Sequence, residues 1–589
     1  MKNFKKLLFL ITPKERKSAG FLLFMMLIMA LLDMIGVASI LPFVAVLSNP
    51  NIIETNMVLN SIFQASRIFE VENREQFLFA LGILVFILLV ISLSFKALTI
   101  YLQTRFVQML EYSIGKRLIE GYLNQSYSWF LNRHSAELGK TILSEIGTIS
   151  GGGMKPALEI IARSLMACAL ISLLILVDPK IALTVGTFLG LAYLFIFFLL
   201  RKFLKTLGYK RFKNNKLRFS AVSEAFGAAK EIKIGGLEKI YVKNFSEPAE
   251  VFARTQATTQ LVSQLPRLIL EVIAFGGILL IILYIMSQTG NFNNALPIVS
   301  LYVFAGYRLL PAVQEIYASF TSLTFISPSI TKLTDDIKNL KTPHNYQDKS
   351  NLTLNNAITL KKIFYNYPNS SRTALKDINL NIPAKSIVGF VGATGSGKTT
   401  LIDIILGLLE PQEGILLVDK QVLTKNNSRA WQRTIGYVPQ HIYLSDDTIT
   451  ANIAFGVDSN LIDQDLVEKA AKIANLHEFV TNELPKQYLT TIGERGVRLS
   501  GGQRQRIGIA RALYHKPQVL ILDEATSALD NETEKVVMDA VHNLNKDITI
   551  ILIAHRLNTV KKCDIIFKLE KGQLVDHGSY DKIINEKKN

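Results

Sequence analysis

Gly392-Ala393-Thr394-Gly395-Ser396-Gly397-Lys398-Thr399-Thr400 is the stretch on which the reading of this 589-residue chain turns. An apolar run, Ile387–Val391, precedes it and a helical run, Thr400–Leu409, follows. Strand, glycine loop, helix is the setting in which this spacing holds phosphate. Glycines let successive backbone N–H groups curl around phosphate oxygens, and the helix N-terminus adds its dipole. Lys398 is expected to neutralise β/γ-phosphate charge, and Thr399 to place a hydroxyl on Mg²⁺. The expected cofactors are therefore ATP and Mg²⁺.

A second apolar run, Val519–Leu522, ends in Asp523-Glu524. Continuous apolar runs mark buried parallel strands, and sites in such sheets lie at strand C-termini. Asp523 is expected to hold Mg²⁺ through water, and Glu524 to polarise the attacking water. Strand-like and helix-like stretches alternate around both motifs, which predicts an α/β domain over 357–589. A polar stretch containing Pro343 reads as a linker, 342–356, and 1–341 forms the other domain.

That first domain is apolar and basic. The chain is 49% hydrophobic and 19% charged, with 65 Lys+Arg, 48 Asp+Glu and a net charge of +17. Soluble domains average about 25% charged. Residues 1–343 carry 35 basic and 21 acidic side chains, against 30 and 27 in the remainder. A basic half that is also the apolar half fits a membrane domain and not a nucleic-acid binder. Cys168 and Cys563 lie far apart, so no disulfide framework is implied.

About 20 apolar residues cross a bilayer as a helix. Six stretches qualify: Ala19–Leu47, Phe77–Ile100, Pro156–Val177, Ile181–Leu200, Leu268–Ile285 and Ala295–Ile326. Asp178-Pro179-Lys180 makes a tight hairpin of the third and fourth. The basic start and short apolar Leu7–Ile11 read as an interfacial helix before an uncleaved first span. Loops 101–155 and 201–265 hold 6 and 13 Lys/Arg, and the other loops only Arg67, Arg74 and Lys180. The positive-inside rule places the two long loops and both termini in the cytoplasm. The spans are expected to continue as helices into those loops. Asn49–Gln76 is either an amphipathic helix on the outer membrane face, with Met57, Leu59, Ile62, Phe63, Ser66 and Phe69 on one side, or an ordinary connection.

Leu499-Ser500-Gly501-Gly502-Gln503 resembles the signature sequence of ATP-binding cassette (ABC) proteins. The resemblance extends to Tyr367, in Tyr365-Asn366-Tyr367-Pro368, like the aromatic that stacks on adenine. Gln440, in Tyr437-Val438-Pro439-Gln440, is similar to the loop glutamine that senses Mg²⁺. Thr491-Ile492-Gly493-Glu494-Arg495-Gly496 is similar to an exporter-specific segment. Ser527-Ala528-Leu529-Asp530 resembles the dimer-contact loop, and His555, in Ile553-Ala554-His555-Arg556, the switch histidine that holds the γ-phosphate. The resemblance implies that Ser500, Gly501, Gly502, Gln503 and Asp530 complete the site of an opposite subunit. One phosphate loop and one signature per chain then make a homodimer the economical arrangement.

Six spans ahead of one cassette resemble an exporter-type half-transporter. The expected fold is thus a six-helix α-helical transmembrane domain followed by an α/β P-loop ATP-binding cassette domain. The family's coupling helices would lie near Ser128–His134 and Gly236–Lys243, with Trp129 and Phe130 either as docking anchors or as a pair packed within the subunit. The activity implied is ATP hydrolysis coupled to movement of a substance across a bacterial inner membrane.

Ionisable residues inside spans are costly and rarely idle. Arg163 has Glu159 four residues before it, and Arg267 has Glu271 four after. Asp33, Lys96, Arg308 and Glu315 have no opposite charge at helical spacing, although an Asp33 contact across helices would neutralise Lys96 or Arg308. Lys96, Arg267 and Arg308 are the substrate-site candidates, for an anionic, lipid-linked molecule; snorkelling to lipid phosphates is the competing reading of Lys96. Gly36-Val37-Ala38-Ser39-Ile40-Leu41-Pro42-Phe43, Gln264-Leu265-Pro266-Arg267-Leu268-Ile269-Leu270-Glu271 and Tyr307-Arg308-Leu309-Leu310-Pro311 resemble the flippases of bacterial protein N-glycosylation, which move polyprenyl-pyrophosphate-linked oligosaccharides. That type carries a basic residue where Glu315 stands. An exporter of another lipid, drug or peptide is the alternative, and an ATP-gated channel on the same scaffold a further one.

Overall fold

A computed structural model describes residues 2–48, 50–66, 71, 73–177, 179–289, 292–340, 352–368, 373–493, 496, 498–525, 528–544, 547–554 and 557–585, with most side chains between 269 and 302 outside that description. The chain divides into two compact units. One comprises Met1–Gln125 and Asn132–Pro343, the other Ser126–Leu131 and His344–Asn589.

The first unit is helical. Three stretches, Pro13–Ser48, Arg74–Leu123 and Ser135–Val177, are long and apolar enough to cross a membrane among the described residues. Two of the other expected spans lie within the helices Pro179–Gly227 and Glu238–Thr289, and the last lies within Phe292–Phe325 except for Ile326, which caps the next helix. Arg74–Leu123 has 50 residues, about 75 Å at 1.5 Å per residue, against a hydrocarbon core of about 30 Å. The helices therefore run well past their apolar stretches, as expected.

The first span differs in detail from its reading as one run. Two helices, Pro13–Ala38 and Ile40–Ser48, meet at Ser39. Pro42 has no N–H for the carbonyl four residues earlier, so the ladder is interrupted there. Ser39 Oγ satisfies Gly36 O at 2.8 Å. The outer connection contains a helix, Met57–Ser66, whose Leu59 is buried and whose Phe63 ring meets Phe77 edge-on at 5.0 Å. Phe69 lies outside the described residues.

Below the apolar stretches lies a buried polar hub that no sequence spacing announces. Glu145 is 2% exposed. Its Oε1 accepts from Asn215 at 2.7 Å and faces Lys140 Nζ at 3.8 Å. Its Oε2 accepts from Ser329 at 2.7 Å and from Arg211 at 3.4 Å. Arg211 also donates to Thr148 at 2.9 Å, and Lys140 sits 4.2 Å above the Phe212 ring. Three segments far apart in sequence thus share one carboxylate. Glu145 closes one wide π-type turn, Thr141–Glu145, and a second, Ser150–Met154, follows it; such turns are rare inside helices.

The second unit is α/β. Its six-stranded sheet has the order β10-β9-β3-β8-β7-β6, from β3 (Ile387–Val391), β6 (Ile435–Val438), β7 (Val519–Asp523), β8 (Thr549–Ile553), β9 (Ile565–Glu570) and β10 (Gln573–Gly578). β6, β7, β8, β3 and β9 run parallel, and β10 closes the edge antiparallel. Every residue of β3, β7 and β8 is buried, which is why these strands read as unbroken apolar runs. A four-stranded antiparallel sheet, order β2-β1-β4-β5, is built from β1 (Ala357–Asn366), β2 (Thr373–Pro383), β4 (Glu413–Val418) and β5 (Gln421–Val422).

Removing Glu145 would strand two buried cations. Glu145→Ala is expected to cost about 3–5 kcal/mol, read as a lowered thermal midpoint of the detergent-solubilised protein. An unchanged midpoint would show that Lys140 and Arg211 do not depend on this carboxylate.

Candidate functional site

The glycine loop leaves β3 at its C-terminal end and feeds the helix Lys398–Ile405. Gly395 and Gly397 have φ of +76° and +103°, a region that a side chain disfavours. A Cβ on Gly397 would also meet Ala374 O at 2.8 Å. Lys398 folds back over the loop, donating to Gly392 O at 2.8 Å and Ala393 O at 3.1 Å. Burial pulls its ammonium below the ordinary lysine range, against the opposing pull of Glu524 and Asp523. Ser396 Oγ is buried without a hydrogen-bond partner among the described residues. Thr394 and Thr399 are exposed, and Thr400 is buried, its hydroxyl 3.0 Å from Tyr367 OH.

β7 lies one strand beyond β8 from β3, so its C-terminal carboxylates reach the same edge of the sheet. Asp523 is 6% exposed and accepts from Tyr437 OH at 3.4 Å. Glu524 adopts φ +50°, a conformation that costs a non-glycine residue about 1–2 kcal/mol. Strain of this kind concentrates at working sites. Glu524 accepts a 2.9 Å bond from Gln440 Nε2. The structure thus brings together Tyr367, the loop Gly392–Thr400, Gln440, Asp523 and Glu524.

The signature residues are placed otherwise. Ser500 caps the helix Gly501–Tyr514 in a reciprocal box with Gln503, at 2.8 and 3.2 Å. Cβ atoms added at Gly501 and Gly502 would come within 3.1 Å of Ala528 and Leu529, respectively. Asp530 caps the helix Asn531–Asn543 through Thr533 N at 2.9 Å. His555 lies outside the described residues.

ATP and Mg²⁺ fit this chemistry. The cradle has open backbone geometry, an orphaned buried hydroxyl on Ser396 and an ammonium held by two carbonyls that are weak substitutes for phosphate. Among the described residues no three His, Cys, Asp or Glu side chains gather to hold a metal unaided. Mg²⁺ is commonly held by one or two carboxylates together with substrate phosphates, and Asp523 with Thr399 matches that pattern.

Sequence reasoning missed two participants. Tyr437, on β6 beside β7, faces Asp523; its position in the quoted Tyr437–Gln440 segment was the available signal. Asp403, in the helix after the loop, is 8% exposed. Burial and then Asp523 push its carboxyl up to about 6. Nothing in its sequence context marked it. Of the first coupling candidate, Ser126–Leu131 groups with the cassette unit. Burial raises the Tyr127 phenol there, and Asp403 and Tyr367 add to the effect. Trp129 and Phe130 stack edge-on at 5.1 Å.

In the helical unit, Arg267 pairs with Glu271 at 2.7 Å, along its own helix. Arg308 pairs across helices with Asp33 at 2.6 Å, the neutralising contact that spacing alone left open. Lys96 is half-buried and forms no hydrogen bond or ion pair within 4 Å among the described residues.

Two family models match the chain: ABC transporter over residues 375–527 and ABC transporter transmembrane region over 55–307. The heterocyst differentiation ATP-binding protein HepA of Nostoc sp. is 30% identical over 484 residues, 80% of this chain and 77% of that protein. The chain belongs to the ABC transporter family. This ABC transporter also matches the alpha-hemolysin translocation ATP-binding protein HlyB of Proteus vulgaris, at 38% identity over 48% of the chain, and there spans only 40% of the relative's length. An ATP-dependent lipid A-core flippase of Cupriavidus pinatubonensis is 40% identical over 38% of both chains. A bacterial Atm1-family ABC exporter solved with ATP bound shares the fold, with a TM-score of 0.78, 23% identity, and coverage of 97% of this chain and 96% of that one. Membership makes the protein an ATPase coupled to movement of substances across a membrane, with a transmembrane region ahead of its ATP-binding domain.

Because Asp403 holds its proton more tightly when folded, stability falls as pH rises from about 4 to about 6, and the full penalty stands above that window. Asp403→Asn is expected to stabilise the protein by up to about 3 kcal/mol at pH 7.5 and not at pH 4, read from melts at the two pH values. Equal shifts at both would assign the effect to packing.

Proposed function

We propose that this ABC transporter is a homodimeric ATP-driven flippase of the bacterial inner membrane that moves a polyprenyl-pyrophosphate-linked oligosaccharide from the inner to the outer leaflet. Residues 1–341 form the membrane domain, 342–356 the linker and 357–589 the cassette, with the cassette and both termini cytoplasmic. The observation that carries the substrate reading is the pair of basic residues, Lys96 and Arg308, within apolar spans. A pyrophosphate headgroup is the ligand that such cations recognise, Arg by bidentate bonds. The three segments resembling the N-glycosylation flippases support the same reading, and so does similarity to a protein named for flipping lipid A-core.

In the cassette, Gly392–Gly397 amides and Lys398 bind the β- and γ-phosphates, and Tyr367 stacks on adenine. Thr399, Asp523 and Gln440 would hold Mg²⁺, which would draw charge from the phosphates. Phosphoryl transfer needs mainly positioning and a positive field. Glu524 orients and polarises the attacking water, and its 2.9 Å bond from Gln440 ties that carboxylate to the metal-sensing loop. His555 holds the γ-phosphate. Ser500, Gly501, Gly502, Gln503 and Asp530 of a second copy complete the site. Closure of two cassettes on ATP then favours one arrangement of the spans over the other.

Export of another lipid, a drug or a peptide is the second reading, and the hemolysin-translocating relative favours it.

Glu524→Gln is expected to lower hydrolysis about 10²–10⁴-fold while ATP still binds. Unchanged turnover would remove Glu524 from the role of base. Reconstituted protein should move labelled polyprenyl-pyrophosphate sugar across liposomes with ATP, and not a dye or peptide. Failure to move it sinks the flippase reading. Arg308→Ala should reduce flipping more than basal ATPase activity; equal loss would make Arg308 structural.

A further inference from the structure

Asp33 lies on the helix Pro13–Ala38 and is 1% exposed. Its Oδ1 receives two donors: Ser92 Oγ at 2.8 Å and an Arg308 guanidinium nitrogen at 2.6 Å. Its Oδ2 has no hydrogen-bond partner among the described residues. One carboxylate therefore joins three helices and stays half satisfied. Arg308 commits a single nitrogen to the pair and keeps 15% of its side chain accessible, whereas Asp33 keeps none. Lys96 follows Ser92 by one turn on the same helix, and Asp33, Arg163, Arg308 and Glu159 are the charges around it. Arg163 is already engaged with Glu159 at 3.2 Å, and Gln103 donates to the same carboxylate at 3.2 Å. Around Asp33 this leaves one anion facing two cations.

An arginine open to a membrane interior faces an obvious hazard. Ordinary phospholipids present singly charged phosphodiesters in great excess over any rare lipid-linked sugar. An uncommitted guanidinium would be saturated by them. A carboxylate already seated, already dehydrated and already in contact competes well against a singly charged phosphate that must shed its water. A pyrophosphate brings more than one negative charge and several acceptor oxygens, enough for a two-pronged contact with the fork. We propose that Asp33 is a specificity-determining residue, an internal competitor for Arg308 that singly charged phospholipid headgroups fail to displace and a pyrophosphate headgroup displaces. On displacement Asp33 retains the Ser92 hydroxyl, and Lys96, one turn away, supplies the compensating charge. Asp33 thus acts through Arg308 and sets which headgroup charge the site accepts. The inference rests on the flippase reading above and adds the reason that such a site would ignore the bulk bilayer.

The test uses the full-length protein in nanodiscs of uncharged lipid, with labelled geranylgeranyl pyrophosphate as probe. Phosphatidylglycerol is the singly charged competitor and geranylgeraniol the uncharged control. Wild type should prefer the pyrophosphate strongly. Asp33→Asn, which keeps the shape and the acceptor for Ser92, should improve competition by phosphatidylglycerol about tenfold, because Arg308 no longer has to be released first. Asp33→Glu should keep the wild-type preference. Asp33→Asn/Arg308→Gln should match Arg308→Gln alone, because without the guanidinium Asp33 has nothing to compete for. An unchanged preference in Asp33→Asn, or a shift that survives in the Arg308→Gln background, overturns the role of Asp33. Wild type that binds geranylgeranyl pyrophosphate no better than geranylgeraniol overturns the flippase reading along with it.

Discussion

Taking a charge out of water costs several kcal/mol unless a counter-charge and hydrogen bonds meet it, and the arrangement of this protein follows that constraint at three depths. Within the spans, Asp33 and Arg308 meet at 2.6 Å. In the helical extensions, Glu145 gathers Lys140, Arg211, Asn215 and Ser329. At the end of the parallel sheet, Lys398 rests on loop carbonyls while Asp403, Asp523 and Glu524 crowd the same edge. How far each buried charge is answered from within the chain differs, and charge that is only partly answered is what a ligand or a conformational change acts on.

The three sites differ in what answers them. The Glu145 hub is satisfied on both oxygens from within the chain, which marks it as a joint between helices. The candidate nucleotide site gathers Lys398 with the carboxylates Asp523 and Glu524, the last at positive φ, beside a loop whose backbone at Gly395 and Gly397 favours glycine. The Asp33–Arg308 pair lies between these extremes: among the described residues one oxygen takes two donors and the other none. A contact of that kind holds a side chain in place and still yields it to a better-charged partner.

Much of the cassette was legible because its chemistry is local. The phosphate loop, the Asp523-Glu524 strand end and the signature each occupy a few consecutive residues, and a buried parallel strand announces itself as an apolar run. Tyr437 and Asp403 were not legible as site residues, because their roles depend on which strand lies next to β7 and on which face of a helix is buried. The break at Ser39 could be traced to Pro42 only once the helices on either side were in view. Arg267 and Glu271 were legible as a pair, since four residues along one helix fix their meeting. Arg308 and Asp33 are 275 positions apart, and no periodicity connects them.

The sequence by itself determined that apolar helices precede an α/β ATP-binding domain, which stretches are apolar enough to span, and which glycines, lysine and carboxylates are the candidates for the nucleotide site. Those properties follow from composition, periodicity and short-range spacing. Only the tertiary structure decided which charges from different helices and strands meet. That outcome depends on helix crossings and strand neighbours: Arg308, which spacing left without a partner, meets Asp33 across helices, while Lys96 forms no ion pair within 4 Å among the described residues.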